Sequence, residues 1–448
     1  MLDERLTYFA QQLACVPNAP YLPNAIVARV ERLLHELNEV FHDSIQVTRN
    51  HLGVFARVIS GTATHPILVS AHLDHPLFIT RAENEAVPFG LISTAQIDVS
   101  LGCDEWSIPV TLYDSRGSEL GSAELRRTTG TRFPKVNASF SIPKNCHVLW
   151  RLPLRIDNEF VSLIAADNLI NCALSLAALE RVLATTDVEY DITFMFGAIE
   201  EIKQLSATGV ILEGIPSIGK IKSEWIIFIL EVGPTTMKDS LLTACKKYNL
   251  PFPRDDGGPA LRISDDWMLH GQENVGPNLA EHILLRSITK IGGSYQHSIS
   301  GGMCDGSVFT SFSVTPSIAG IAFANPFRHN VSNDDFPVYE QVRVSDVNLG
   351  LSWLAHALIN ADHYAKETAD TELLLTHKLR STELKASPKQ IERINIDRKA
   401  TYLAMRPRMR SGHYFPESIL ERIKFWFWIG YALAYQAGSS ISLWGKRP

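Results

Sequence analysis

The sequence predicts an α/β fold, in which helices sandwich a mostly parallel β-sheet and a small β-rich domain is inserted. Short apolar runs rich in β-branched residues alternate with longer segments that have apolar residues at helical spacing. This alternation is typical of strands buried on both faces and of the helices that cover them. Between residues 76 and 160 the long helical spacing disappears and strand-like alternation replaces it.

The individual elements follow from local patterns along the chain. The segment NAIVARVERLLHELNEVF predicts the first long helix, because its apolar residues recur at helical spacing. A further helix is expected over Asn168–Leu183, and NLAEHILLRSITKIGG predicts another that ends at a glycine pair suited to a C-cap. A first strand is predicted around Val54–Ile59. The predicted buried strands are Ile67–Ala71, Ile192–Phe196, Trp225–Leu230 and Ile318–Phe323.

The domain boundaries are placed where the spacing of apolar residues or the charge composition changes. WSIPVTLYD alternates and then meets a turn cluster, and CHVLWRLP is a further strand candidate. We therefore predict a main domain from residues 1–75 and 161–366, an inserted β-rich domain from 76–160, and a C-terminal extension from 367–448. From His377 onward the chain has fourteen Lys and Arg against five Asp and Glu. This basic extension either lies on the acidic body or a neighbouring subunit, or is a solvated appendage.

Composition excludes several classes of partner. The net charge of −6 gives no positive field to attract nucleic acid. The six cysteines form no C-x-x-C pair, so reduced thiols are expected rather than disulfides or a thiolate zinc site. MLDERLTYFAQQ lacks the basic start of a signal peptide, and the apolar run Phe425 to Ala437 is too short to span a bilayer. We expect a cytoplasmic protein without a membrane partner.

Metal-capable side chains follow four of the predicted strands. Because the carboxyl ends of parallel strands meet at one edge of a sheet, these side chains should converge there. These residues are His72, Asp74 and His75 after Ile67–Ala71, Glu200 and Glu201 after Ile192–Phe196, Glu231 after Trp225–Leu230, and Arg328 and His329 after Ile318–Phe323.

Imidazole and carboxylate are ligands that zinc takes in catalytic sites. A carboxylate with two oxygens can bridge two ions, and Asp167 in the turn AADNL is the candidate for this position. Asp74 is expected to accept a hydrogen bond from His72 and to fix the orientation of its ring. His75 is interpreted as an ordinary structural histidine. Co²⁺ or Mn²⁺ could replace zinc at a site of this kind.

The ordered motifs HLD, AADN, EE, LEVG and RHN resemble those of the dinuclear-zinc aminopeptidases, most closely the tetrahedral or deblocking aminopeptidase family, which is related to glutamyl aminopeptidases. DDGGPALRISD and GGSYQHSISGGMCDGSVF are similar to two further segments of that family. The resemblance covers roughly residues 1–360, and the inserted domain lies where the family has one.

The resemblance implies a zinc peptidase that acts on peptides or small amides, with two Zn²⁺ ions. One ion would take His72, Asp167 and Glu231, and the other Asp167, Glu201 and His329. Glu200 would be the general base, Asp74 would orient His72, and Asn168 and Asp305 would support the site. It also implies a homo-oligomer assembled through the inserted domain.

The chain departs from the family pattern at several positions. His75 and Pro76 replace the usual Glu and Gly after H-x-D, and Cys304 replaces the Thr before Asp305. Glu231 stands where the family usually has Asp, as in some related zinc exopeptidases.

Three other functions compete with that of an aminopeptidase. A deacylase or another amide hydrolase could use the same ligands. A non-enzymatic assembly or binding module would be expected to lose ligands or the base, which are all present. Nucleotide binding is rejected, because GIPSIGKI has Ile221 in place of the Ser or Thr that a P-loop requires. The aromatic run IKFWFWIGYALAYQA suits a buried helix or a subunit contact, or packing on the chain's own core.

Overall fold

The computed structural model describes residues 1–411 except 21–22, 62, 82–83, 91–92, 115, 186–188, 235–245, 247–253, 266–267, 271–277, 301–302, 333, 368–373 and 375–386. The aromatic run IKFWFWIGYALAYQA and the apolar run Phe425 to Ala437 lie outside the described residues. Within the described part of the chain, no helix combines the length and apolar character that a membrane crossing needs.

The helices of this part of the chain are α1 (Glu4–Ala14), α2 (Pro23–Val40), α3 (Thr94–Leu101), α4 (Ala166–Leu183), α5 (Leu205–Glu213), α6 (Leu279–Ile291), α7 (Asp305–Ser311), α8 (Val344–Ile359), α9 (Ala361–Lys366) and α10 (Pro388–Ser411). The strands are β1 (Ile45–Asn50), β2 (Gly53–Ser60), β3 (Ile67–His72), β4 (Leu77–Thr80), β5 (Ala86–Phe89), β6 (Trp106–Tyr113), β7 (Glu119–Arg127), β8 (Lys135–Asn137), β9 (His147–Trp150), β10 (Arg155–Ile156), β11 (Phe160–Leu163), β12 (Tyr190–Gly197), β13 (Ile226–Pro234), β14 (Ala260–Asp265), β15 (Met268–Leu269), β16 (Gln296–Ser300), β17 (Ser317–Asn325) and β18 (Glu340–Arg343).

The main sheet has the strand order β1-β2-β12-β3-β13-β17-β14-β15, with β16 paired to β14. Its central strands β12, β3, β13 and β17 are parallel neighbours. The outer strands β2 and β14 pair with this centre antiparallel. Only residues 61–66 join β2 to β3. This link is too short for a helical crossover between parallel strands, so β2 and β3 run in opposite directions.

Two groups of helices flank this sheet. Helices α1, α4, α6 and α8 pack on one another, with α4 against β3 and β13 and α6 against β13, β14 and β17. Helices α5 and α7 pack together with α10, and α7 also contacts β14, β15 and β17. The α/β fold predicted from the sequence is therefore confirmed. The predicted glycine C-cap is also present, since Gly292 ends α6 with a left-handed φ of 74°.

A second, antiparallel sheet contains six strands in the order β5-β4-β9-β6-β7-β8. All of these strands lie between Leu77 and Trp150. They bury an apolar core of their own, which includes Phe78 and Trp150. Phe336, from a later part of the chain, packs edge-on against Trp150 with ring centroids 4.9 Å apart. This contact ties the second sheet to the segment that follows β17.

Candidate active site

The carboxyl ends of the four central strands bring together the residues that the sequence singled out. His72 is the last residue of β3, and Glu231 lies near the end of β13. Glu200 and Glu201 follow β12, and His329 lies in a short 3₁₀ turn, Arg328–Asn330, after β17. The strands are buried along almost their whole length. The sheet therefore delivers these polar side chains to one buried edge, as the strand-end argument requires.

His72 lies at the centre of a first group of side chains. Its Nε2 is 3.3 Å from Asp167 Oδ1 and 3.7 Å from Glu231 Oε1. The same nitrogen lies 3.9 Å from Glu200 Oε2. Ligand atoms of His72, Asp167 and Glu231 all lie within 4.8 Å of one another, and all three residues are buried. One imidazole nitrogen and two carboxylates thus converge in a space of the size that one metal ion needs.

Asp167 also belongs to a second group. His329 Nε2 lies 3.3 Å from Glu201 Oε1 and 3.8 Å from Asp167 Oδ2. Ligand atoms of these three buried residues again lie within 4.8 Å of one another. The two oxygens of Asp167 therefore face different groups, Oδ1 towards His72 and Oδ2 towards His329. This is the arrangement of a carboxylate shared between two neighbouring sites.

The chain positions Asp167 through its neighbours in the turn between β11 and α4. Asp167 and Asn168 have non-helical backbone angles at the start of α4, and the peptide bond between them is cis. The Asn168 carboxamide donates a 2.8 Å hydrogen bond to the carbonyl of Leu230, the residue before Glu231. Asn168 thus connects the turn that carries Asp167 to the strand that carries Glu231.

Arg328 supplies positive charge beside these carboxylates. Its Nε lies 2.8 Å from Asp167 Oδ2. Burial by itself would raise the pKa of Asp167, but Arg328 and His72 outweigh it and hold that pKa well below its usual range. Asp167 is therefore ionised at neutral pH.

Asp74 contacts both the backbone of the adjacent glutamates and the ring of His72. Its carboxylate oxygens accept hydrogen bonds from the backbone N–H of Glu200, at 2.7 Å, and of Glu201, at 3.0 Å. His72 Nδ1 is 3.0 Å from the main-chain carbonyl of Asp74, whereas the nearest carboxylate oxygen is 3.6 Å away. The His72 ring thus lies closest to the main-chain oxygen of Asp74, and the predicted contact with the carboxylate is longer. The same carboxylate also holds the turn after β12.

Glu200 is buried among other acidic groups. Burial is the largest cause that raises its pKa well above the usual range, and the carboxylates of Glu201, Glu231 and Asp305 add to it. Asp305 accepts a 2.7 Å hydrogen bond from the Ser70 hydroxyl, and burial raises the pKa of Asp305 to about 6. Carboxyl groups with raised pKa values in a buried cleft are suited to proton transfer near neutral pH.

Glu340 is a site residue that the sequence reasoning missed. Its Oε2 accepts a 2.8 Å hydrogen bond from the backbone N–H of Asp167, and its Oε1 accepts one of 2.5 Å from that of His329. Glu340 therefore fixes the backbone of two residues of the second group relative to each other. The available signal was weak: Glu340 shares the buried face of strand β18 with Val342, and a carboxylate on a buried face needs partners.

Two further polar networks support the edge of the sheet. His75 lies 2.9 Å from both the Asp167 carbonyl and the Asn330 carboxamide oxygen, which agrees with its interpretation as a structural histidine. Asp265, at the end of β14, binds the Arg262 guanidinium at 2.6 Å and accepts hydrogen bonds from the backbone N–H and the thiol of Cys304. Asp265 therefore fixes the residue that precedes Asp305.

The rejected P-loop candidate GIPSIGKI does not follow a strand. It comes directly after helix α5, where Gly214 is the C-cap, and forms a turn closed between Ile215 and Gly219.

No family model matches the sequence, and no curated protein matches it either. Solved structures do match the fold. Aminopeptidase APDkam598 from the archaeon Desulfurococcus kamchatkensis is 17% identical, with a TM-score of 0.59 over 81% of this chain and 98% of that one. A TET aminopeptidase from the marine sediment archaeon Thaumarchaeota archaeon SCGC AB-539-E09 is 14% identical, with a TM-score of 0.57 over 85% of this chain and 100% of that one.

A third match is the TET1 peptidase of Pyrococcus horikoshii, described as able to assemble into a tetrahedron or a large octahedral shell. It is 15% identical, with a TM-score of 0.56 over 79% of this chain and 99% of that one. Each of these structures is covered almost completely, whereas part of this chain has no counterpart in them. At such identities the match establishes the fold, and it confirms at that level the resemblance found in the motifs: this chain has the fold of the tetrahedral aminopeptidases.

Proposed function

We propose that this protein is a metal-dependent aminopeptidase that removes residues from the N-terminus of peptides. The observation that carries the proposal is the position of Asp167, whose two oxygens face two separate groups of buried ligands. Zinc is the metal best suited to these imidazole and carboxylate donors, and Co²⁺ or Mn²⁺ would also fit them.

The chemistry of the side chains supports metal binding. Among the described residues, several buried polar atoms of the two groups have no hydrogen-bond partner: His72 Nε2, Asp167 Oδ1, both carboxylate oxygens of Glu201, and His329 Nε2. A buried ion left uncompensated costs several kcal/mol. Two divalent cations would offset this cost, because every one of these atoms is a suitable ligand.

We assign His72, Asp167 and Glu231 to one ion and Asp167, Glu201 and His329 to the other. When bound, the ions would supply Lewis acidity, which polarises the scissile carbonyl and lowers the pKa of water.

Glu200 is the proposed general base. Its Oε2 faces His72, and its Oε1 has no hydrogen-bond partner among the described residues. Its carboxylate would accept the proton of the attacking water and then deliver it to the leaving amine. Asp74 keeps this carboxylate in place through the backbone of the turn.

Fold similarity supports a substrate with a free amine. Two of the matching structures are described as aminopeptidases. Because two bound divalent cations would offset the charge of the buried carboxylates, the preference for a free amine is proposed from this similarity and not from the charge of the site.

Paired substrates test this proposal directly. Zinc-loaded protein should hydrolyse aminoacyl anilides that have a free amine and leave the N-acetylated twin of each one intact. Cleavage of the acetylated forms alone would instead establish a deacylase. Cleavage of neither form by protein with both metals bound would contradict hydrolysis of simple amides.

We also propose that the protein is a homo-oligomer assembled through the predicted inserted domain, residues 76–160. The support is fold similarity to a peptidase described as forming closed shells. Light scattering should give a multiple of the 49.9 kDa chain mass. The mass of a single chain at micromolar concentration would contradict this assembly.

A further inference from the structure

The basic C-terminal extension contributes a helix that is packed into the body of the molecule. Helix α10 lies against α5 and α7, and its buried residues Arg398, Tyr402, Met405 and Met409 recur at helical spacing. Gly209 in α5 permits this close approach, because a Cβ there would lie 2.7 Å from the Tyr402 ring. This part of the extension is therefore not a solvated appendage.

The turn that carries Glu200 and Glu201 has an unusual backbone immediately after them. Lys203 and Gln204 are consecutive non-glycine residues with left-handed φ values of 59° and 51°. A left-handed conformation of this kind is strained for a residue with a Cβ atom. The backbone N–H of Gln204 donates a 2.8 Å hydrogen bond to the carbonyl of Glu200, so this strained pair closes the turn on the proposed base. Strain of this kind persists only where surrounding contacts hold it.

Helix α10 holds both strained residues. Lys203 Nζ lies 2.6 Å from Asp397 Oδ2, and both side chains are largely buried. The next residue of the helix, Arg398, donates a 3.1 Å hydrogen bond from Nη2 to the Gln204 carboxamide oxygen. Two adjacent residues of the extension thus contact the two adjacent residues that shape the turn.

Arg398 also reaches the segment that carries Asp305. Its guanidinium donates to the Ser307 hydroxyl at 3.2 Å and the Ser311 hydroxyl at 3.0 Å, both in helix α7. Asp305 is the first residue of that helix. One buried guanidinium therefore links the turn of Glu200 and Glu201 to the helix of Asp305.

The charge of Arg398 suits this position. Its side chain is only 2% exposed, and burial lowers the pKa of Arg398 to about 10, so the guanidinium stays protonated at neutral pH. The acidic groups whose charge favours its protonated form include Asp265, Glu200 and Asp305. A fixed cation behind these carboxylates offsets part of their mutual repulsion.

We propose that Arg398 is a positioning residue of the active site, which fixes Glu200 and Glu201 through Gln204 and fixes Asp305 through helix α7. The C-terminal extension is then a structural part of the catalytic apparatus. This inference rests on the proposed function for its effect on turnover, but its effect on metal binding can be measured independently, because Glu201 lies in the same turn.

The test uses the full-length protein and the variant Arg398→Met, which keeps much of the aliphatic length and removes the guanidinium. The expected result is a loss of about 10–100-fold in kcat, the usual cost of removing a group that orients metal ligands, with KM changed little. The affinity for Co²⁺, measured by competition with a chromophoric chelator, should fall by a similar factor. Arg398→Lys should recover part of both losses, because it restores the charge.

Arg410→Gln is the matched control. It removes another basic side chain of the same helix, which pairs with Glu213 at 2.6 Å and is half exposed. This variant should keep wild-type kcat and Co²⁺ affinity. Equal losses in both variants would overturn the role of Arg398, and so would wild-type behaviour of Arg398→Met.

Misfolding of Arg398→Met and failure of the proposed function can each be distinguished from failure of this proposal. If Arg398→Met does not fold, Gln204→Ala decides the matter, since it removes the acceptor on the turn and leaves the contacts of Arg398 with α7. Loss of kcat and Co²⁺ affinity in Gln204→Ala supports the proposal, and unchanged values overturn it. If the wild-type chain hydrolyses no amide, the proposed function fails, and the Co²⁺ affinities alone decide whether Arg398 positions the site.

Discussion

Replacement of Glu200 by Gln should lower kcat by about 10²–10⁴-fold, the range that a general acid–base group contributes. Gln has nearly the same shape as Glu, but its carboxamide cannot accept the proton of the attacking water. Both assigned metal groups keep their ligands in this variant, so metal content and KM should change little. Steady-state kinetics on an aminoacyl anilide, together with elemental analysis of the protein, would measure these quantities.

Glu213→Gln is the control for this experiment. Glu213 is also a partly buried glutamate, but it lies at the end of α5 and pairs with Arg410. Turnover by Glu213→Gln should match that of the wild type. Near-native turnover by Glu200→Gln would show that another group takes the proton.

Asp167→Asn should weaken the binding of both metal ions. The two oxygens of Asp167 face the two ligand groups separately, and an amide nitrogen cannot serve as a ligand in place of the lost oxygen. Removal of an outer partner of a ligand already costs about 10–100-fold in affinity, so loss of the shared ligand should cost at least about 100-fold. Competition titration with a chelator would measure both constants.

His329→Ala provides the comparison for Asp167→Asn. His329 belongs only to the group that contains Glu201, so this variant should lose affinity for one ion and keep it for the other. If Asp167→Asn also weakened only one ion, Asp167 would not be the shared ligand.

The convergence of the candidate ligands could be predicted from the sequence because buried strands leave a strong pattern. Apolar runs such as Ile67–Ala71 are long enough to identify, and a parallel sheet brings their carboxyl ends to one edge. The residue at each end, for example His72 or Glu231, could then be placed without knowledge of any distance. The turn of Asp167 is predictable for a similar reason, since it lies between an apolar run and a helix.

The hydrogen bonds around the candidate ligands could not be predicted from the sequence pattern. Glu340 acts on Asp167 from 173 positions away in the sequence, and nothing in the strand EQVR marks that contact. Asp74 was identified, but the choice between its main-chain and side-chain oxygens depends on the backbone of the turn after β12. Such contacts depend on tertiary geometry rather than on local pattern.

The contacts of the C-terminal extension were likewise not predictable from local sequence pattern. Its basic composition left open whether it lies on the body or in solvent. The structure places α10 against α5 and α7, and Arg398, one of many basic residues in that region, contacts Gln204 in the turn after β12. The domain boundaries at residues 75, 160 and 366, and the location of the aromatic run near the C-terminus, stay predictions.

The central claim is that two metal ions share Asp167 in one site, and a metal titration of the apo-protein tests it most directly. Zn²⁺ should bind with a stoichiometry of two per chain, and hydrolysis of an unblocked aminoacyl anilide should rise to its maximum as the site is filled. Asp167→Asn, titrated in parallel, should show neither the tight binding nor the activity. A wild-type stoichiometry of one or zero, or full hydrolysis by the metal-free protein, would contradict the account.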